Sequence, residues 1–327
     1  MNLYIASCAP DGGIYHYRQA AAGSFRFRGK TYCDRPMYLA REGKWLYVLL
    51  RQPFPGRPDS GLVRFALGPD GGLSEASETV STGGACACHL CRLSGVTYAV
   101  NYLSGSVFSD KGDMAFHHGS SVVRKRQESA HPHFIGVSPD GSYLMVTDLG
   151  MDRIFLYDRD LRRCGEAAAP LGAGPRHLLV LDESHVACVN ELACSIGIYG
   201  YEAGKLALVR VVPVLETVPG GALSAAICRL GQSVFVSTRG ADRITGFWWQ
   251  KGRLEKLFEM PCGGVSPRDI LAADGFLFSM NEGSHAVCVF SLDRAGGAFG
   301  RPVQMLPVAN AVCGLFTLEG GEGKEMD

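Results

Sequence analysis

The sequence predicts an all-β, seven-bladed propeller, and three observations predict it. First, one strand-like phrase recurs seven times: LYIAS from Leu3, LYVLL from Leu46, TYAVN from Thr97, YLMVT from Tyr143, VACVN from Val186, VFVST from Val234 and LFSMN from Leu277. Second, successive copies end at residues 7, 50, 101, 147, 190, 238 and 281. That interval is the length of a four-stranded blade and too long for a leucine-rich or ankyrin unit. Third, the chain starts with a hairpin that has no strand before it and finishes with VCGLFTL from Val312, a strand with no hairpin after it. The two fragments complete one blade, so pairing of the N- and C-terminal strands closes the ring and removes an open sheet edge.

Most phrases continue through a polar or glycine-containing turn into a second apolar segment, as in DLGMDRIFLYD, ELACSIGIYGY, RGADRITGFWW and EGSHAVCVFSL, and these pairs read as hairpins. Between the hairpins lies a further apolar strand: PMYLA from Pro36, HLCRL from His89, HFIGV from His133, HLLVL from His177, LSAAI from Leu223 and DILAA from Asp269. In SPDGSYL, after HFIGV, a tight Asp-Gly turn leads into the next phrase, so this strand pairs antiparallel with it and is the innermost of each blade. Residues 1–318 are expected to form a single propeller domain, and the tail EGGEGKEMD, residues 319–327, is expected to be disordered. The Trp248 and Trp249 pair is expected to pack in or beside an outer strand.

With 46% hydrophobic residues in 327, the chain has ample material for a core. Lys plus Arg and Asp plus Glu both count 32, a balance that gives no sign of a nucleic-acid or acidic-lipid partner. The start, MNLYIASCAPDGG, lacks a basic region followed by a long apolar stretch, and no apolar run is long enough to cross a bilayer. A cytoplasmic protein, monomeric or weakly homo-oligomeric, is expected. Most of the twelve cysteines, including Cys188, Cys228, Cys288 and Cys313, fall inside strand phrases and read as reduced, buried thiols.

Antiparallel pairing brings the start of each inner strand and the end of the next strand to one face. The first set contains Cys88, His89, His131, His133, Arg176, His177, Arg268 and Asp269; the second contains Arg51, Tyr102, Asp148, Glu191, Arg239 and Glu282. Arginine, histidine and carboxylate at one channel mouth suit acid-base chemistry on an anionic small molecule, since guanidinium groups fix the anion and a carboxylate or imidazole moves the proton. The same residues would also serve as an ion-pair ring tying blades together.

The motifs HPHFIGVSPDGSYLMVTDLGMDRIFLYD, GAGPRHLLV, VNELACSIGIY, VSTRGADRI and GVSPRDI resemble the seven-bladed propeller lactonases, which include bacterial 6-phosphogluconolactonases of the propeller type and fungal carboxymuconate cyclases. The resemblance spans nearly the whole chain. It implies a lactone hydrolase, with 6-phospho-D-glucono-1,5-lactone as the expected substrate, a cyclase running in the reverse sense as the alternative, and no cofactor or metal. Residue by residue it carries the family's functional positions onto His131, His133, Arg176, His177, Glu191, Arg239 and Arg268. The segment GGALSAAICRLG, and Cys88 before His89, depart from the family pattern. Expected catalytic residues are His131, Glu191, Arg176 and Arg239, with Glu191 or His131 the general base. His133, His177, Arg268, Asp148 and His89 are expected to bind substrate.

Three other signals are set aside. The cluster Cys86, Cys88, His89 and Cys91 suggests zinc only superficially, because residues this close on one strand point to alternate faces. The basic run VVRKRQE around Arg124 reads as a solvated connection between blades. G-x-S-x-G and glycine-rich phosphate loops are absent, which removes support for serine-hydrolase and nucleotide-dependent readings. A non-catalytic scaffold, or a relative that binds a metabolite without turning it over, is the competing class; the charged loop ends argue against a protein-binding face.

Overall fold

The computed structural model describes residues 1–20, 23–293 and 300–317; the tail expected from 319 to 327 lies outside them. Among the described residues there is no α-helix, and the strands form seven antiparallel sheets. Numbering blades in chain order, blade 1 is Ala311–Thr317, Asn2–Ser7, Gly13–Gln19 and Phe25–Thr31. Asn2 stands opposite Thr317 and Ala6 opposite Cys313, so the two chain ends share one sheet as expected. Blades 2 to 7 begin with inner strands Pro36–Glu42, Ala87–Leu93, Pro132–Val137, Pro175–Asp182, Leu223–Leu230 and Pro267–Ala273. The outer strand of blade 2 is interrupted: Leu73–Ala76 and Val80–Ala85 both pair with Asp59–Leu67.

Each inner strand touches the inner strand of the next blade, and the ring closes from Ala311–Thr317 to Pro36–Glu42. The second strand of each blade is the most deeply buried, because apolar side chains on both of its faces pack against neighbouring blades. One such interblade core joins Leu179, Val189 and Ile196 of blade 5 to Ile227, Val236 and Phe247 of blade 6. Trp249 belongs to it, and its indole N–H donates to Asp182 at 3.1 Å.

Every inner strand carries a β-bulge near its start. Pro175 pairs with Asn190 and His177 with Val189, leaving Arg176 as the extra residue; the equivalent steps leave Met37, Cys88, His133, Arg268 and Val312, and blade 6 fits Ala225 and Ala226 against one partner. A bulge bends the strand and re-aims one side chain. Three of the bulges bring Arg176, His133 and Arg268 to the channel mouth, while Met37, Cys88 and Val312 pack into interblade cores.

Candidate active site

Facing the bulges is a ring formed by the residue that follows each second strand. Tyr102, Leu149, Glu191, Glu282, Arg51 and Cys8 each donate their backbone N–H to the residue two before an inner strand's bulge: Cys86, His131, Gly174, Ser266, Arg35 and Asn310. In blade 6 Arg239, opposite Leu223, takes this place.

The bulges and this ring meet at Glu191, which is 2% exposed. Its Oε2 lies 2.9 Å from Arg176 Nε and 2.8 Å from Arg239 Nη2, and its Oε1 accepts a hydrogen bond from Arg126 Nη2. Arg176 is oriented by its Nη1, which donates to the Ala225 carbonyl at 2.6 Å and to His177 Nε2 at 3.1 Å. Arg176 Nε and both Arg239 Nε and Nη2 are buried without an aligned hydrogen-bond acceptor, although two of them touch Glu191. Arg176 Nε and Arg239 Nη2 are thus held beside the carboxylate without an aligned hydrogen bond to it. Burial alone would raise the Glu191 carboxyl, but Arg239, Arg176 and Arg126 overcome it and hold the group down at about 2.

Three imidazoles lie next to this cluster. His133 and His177 have ring centroids 5.4 Å apart, and His89 lies 5.3 Å from His177. Burial, reinforced by the Arg176 charge, keeps all three neutral: His89 falls to about 3, and His133 and His177 lie well below the ordinary value. His133 Nδ1 and His89 Nε2 are buried without a partner. His89 sits one residue past its bulge, among Tyr38 and Phe134 at 4.0 and 4.2 Å, and lines the channel below the arginines. Arg268 approaches Glu282 at 3.4 Å while its charge still bears on Arg176 and His133. His131 stacks on Tyr102 at 4.4 Å, donates Nδ1–H to the Tyr102 carbonyl at 3.0 Å and places Nε2 3.5 Å from Glu128.

The sequence matches the family described as Lactonase, 7-bladed beta-propeller, over residues 2–316. The chain belongs to the seven-bladed β-propeller lactonase family. An uncharacterised Staphylococcus epidermidis protein is 25% identical over 305 residues, covering 85% of this chain and 88% of that one. The 6-phosphogluconolactonase of Bacillus subtilis is 28% identical over 227 residues, covering 65% and 64%. The periplasmic gluconolactonase PpgL of Pseudomonas aeruginosa superposes with a TM-score of 0.83 at 23% identity over 97% and 99% of the two chains, a likeness of fold.

Within this lactonase fold two sequence expectations are corrected. Asp148 does not reach the channel mouth. It pairs opposite Pro132 as Asn190 does opposite Pro175, one residue short of the mouth position, which Leu149 fills. Its Oδ1 accepts the N–H groups of His131 and Met151 at 2.8 and 3.1 Å, and its Oδ2 lies 2.6 Å from His117 Nδ1. The basic run is not wholly a solvated connection. Arg124 and Lys125 are exposed, but Arg126 turns inward to Glu191 and neighbours the Tyr102 hydroxyl. Nothing in VVRKRQE marks which arginine turns in, because the path of the loop decides it. The Cys86–Cys91 segment forms no metal cluster among the described residues: Cys88 and Cys91 pack into the core between blades 3 and 4, and His89 faces the channel.

Proposed function

We propose that this mouth hydrolyses an anionic sugar lactone, 6-phospho-D-glucono-1,5-lactone, to 6-phosphogluconate. The observation that carries the reading is a single buried carboxylate set among three guanidinium groups, two of them with N–H donors not aligned on it, beside imidazoles held neutral. The barrier to lactone opening lies in deprotonating water at an ester carbonyl and in stabilising the charge that develops on its oxygen. Arg176 and Arg239 hold the phosphate and the developing oxyanion, a task to which a planar guanidinium is better suited than an ammonium. Neutral His133 and His177 orient substrate and water. Glu191 takes a proton from water as the hydroxide adds to the carbonyl; the ring C–O bond then breaks, and the departing oxygen takes that proton back from Glu191 to become the hydroxyl of the open acid. Glu191 suits the base better than His131, whose Nδ1–H is committed to the Tyr102 carbonyl and whose Nε2 faces Glu128.

The same reading assigns the chain to the pentose-phosphate route in the cytoplasm, as a monomer or weak homo-oligomer. It is supported by the twelve cysteines, all of them free thiols. The test is hydrolysis of freshly generated 6-phosphogluconolactone beside unphosphorylated gluconolactone, measured against spontaneous opening with the wild-type chain and Glu191→Gln. Acceleration selective for the phosphorylated lactone and lost in the variant is expected. No acceleration of either lactone would overturn the assignment.

A further inference from the structure

Glu191 poses a chemical problem for the proposed hydrolysis. A carboxylate paired with three arginines is a poor base, because each guanidinium stabilises the charged form that must accept the proton. The three arginines are not equivalent. Arg176 is a bulge residue with a buried side chain, and its Nη1 is fixed to Ala225 and His177. Arg239 ends a strand and is 17% exposed. Arg126 comes instead from the connection between blades 3 and 4, crosses the mouth from outside and has 34% of its side chain in solvent.

The backbone behind Arg126 is anchored. The next residue, Gln127, is fully buried; its amide donates to the Leu149 carbonyl and to Asp152 Oδ1, both at 2.8 Å, and its Oε1 accepts the Val123 N–H at 3.0 Å. Ser121 Oγ donates to Asp152 Oδ2 at 2.6 Å. The side chain of Arg126 can leave Glu191 Oε1 without moving its loop, and Arg176 Nε and Arg239 Nη2 stay at the other oxygen, Oε2, without aligned hydrogen bonds to it. Three positive groups around one negative group leave a surplus of positive charge that a second anion would balance.

We infer that Arg126 is an anion-operated latch: the anionic group of the substrate takes the Arg126 guanidinium from Glu191 Oε1, and the carboxylate so released becomes the working base. The inference rests on the lactonase reading above and adds Arg126 to Arg176 and Arg239 as a residue that distinguishes phosphorylated from neutral lactones. An uncharged lactone leaves the latch closed.

The test pairs binding with kinetics on the full chain, comparing wild type, Arg126→Gln and, as a control from the same loop, Arg124→Gln. Calorimetric titration with inorganic phosphate should show Arg126→Gln binding about 10- to 100-fold more weakly, the range set by one charge-assisted hydrogen bond, with Arg124→Gln matching wild type. In Arg126→Gln the ratio of kcat/KM for the phosphorylated over the neutral lactone should fall by a similar factor. Turnover of the neutral lactone should rise, because Glu191 has lost one partner. Unchanged phosphate affinity together with an unchanged ratio would overturn the latch while leaving the hydrolase intact. Phosphate binding that depends on Arg126 in a chain that accelerates neither lactone would overturn the hydrolase and leave the anion exchange standing. A phosphate-bound crystal in which Arg126 still bonds Glu191 would also overturn the latch.

Discussion

Glu191 and Asp269 are acids of the same inner region whose environments push them in opposite directions. Glu191 is held at about 2, below its ordinary 4.5, so it contributes stability above the ordinary value and loses it as pH falls toward 2. Glu191→Gln should therefore show a flatter loss of stability on acidification than wild type in urea titrations across that range. Asp269 is raised from 3.8 to about 6 by burial, against the Gly314 N–H it accepts at 3.0 Å and the charge of Arg176. The folded state thus favours its protonated form, and the stability this lends below 3.8 is lost as pH rises through about 6. Asp269→Asn keeps an acceptor for Gly314 and should be more stable than wild type by about 1–2 kcal/mol near neutral pH, a difference that vanishes in mild acid. Asp148 belongs to the frame. Asp148→Ala orphans the His131 and Met151 N–H groups and should cost about 2–4 kcal/mol of stability, read by chemical denaturation, while KM for the phosphorylated lactone stays within a few-fold. A large rise in KM at unchanged stability would return Asp148 to the substrate.

The bulged inner strand is the element that makes a site out of a blade. Without the extra residue, Arg176 and His133 would follow the plain alternation of a strand; with it, both turn to the mouth. The connection that carries Arg126 depends on a second tight fit. A Cβ on Gly150 would stand 1.8 Å from the Ser129 carbonyl oxygen, so only glycine lets that connection lie against the turn after Asp148. Gly150→Ala should displace the loop and weaken phosphate binding as Arg126→Gln does, with a loss of stability that Arg126→Gln lacks; calorimetry and a thermal melt separate the two effects. The strand phrases were legible because they bury both faces and so read as short apolar runs between turns. The bulges were not legible, because an extra residue in a ladder has no composition of its own. Asp148 reads as a mouth residue because of its charge: in blade 4 an aspartate occupies the position that Asn101, Asn190 and Asn281 hold in other blades, one residue before the channel.

At the scale of the whole molecule, the ring closes through the ladder between Asn2–Ser7 and Ala311–Thr317. A chain ending at Asn310 would leave Asn2–Ser7 as an open edge and strip Ile5 and Leu3 of their cover, so it should aggregate and lose a single sharp melting transition, as light scattering and calorimetry would show. Retention of a monomeric, cooperative fold would mean that the interblade cores alone close the ring. By itself the sequence determined the number of blades, the strand order within them, the closure and the face on which arginine, histidine and glutamate gather, because periodicity and repeat length are properties of the chain. Only the tertiary structure decided that Arg126 joins Glu191, that Asp148 does not, and which donors remain unaligned. Those outcomes depend on bulges, loop paths and side-chain directions that arise when seven separate segments meet around one channel.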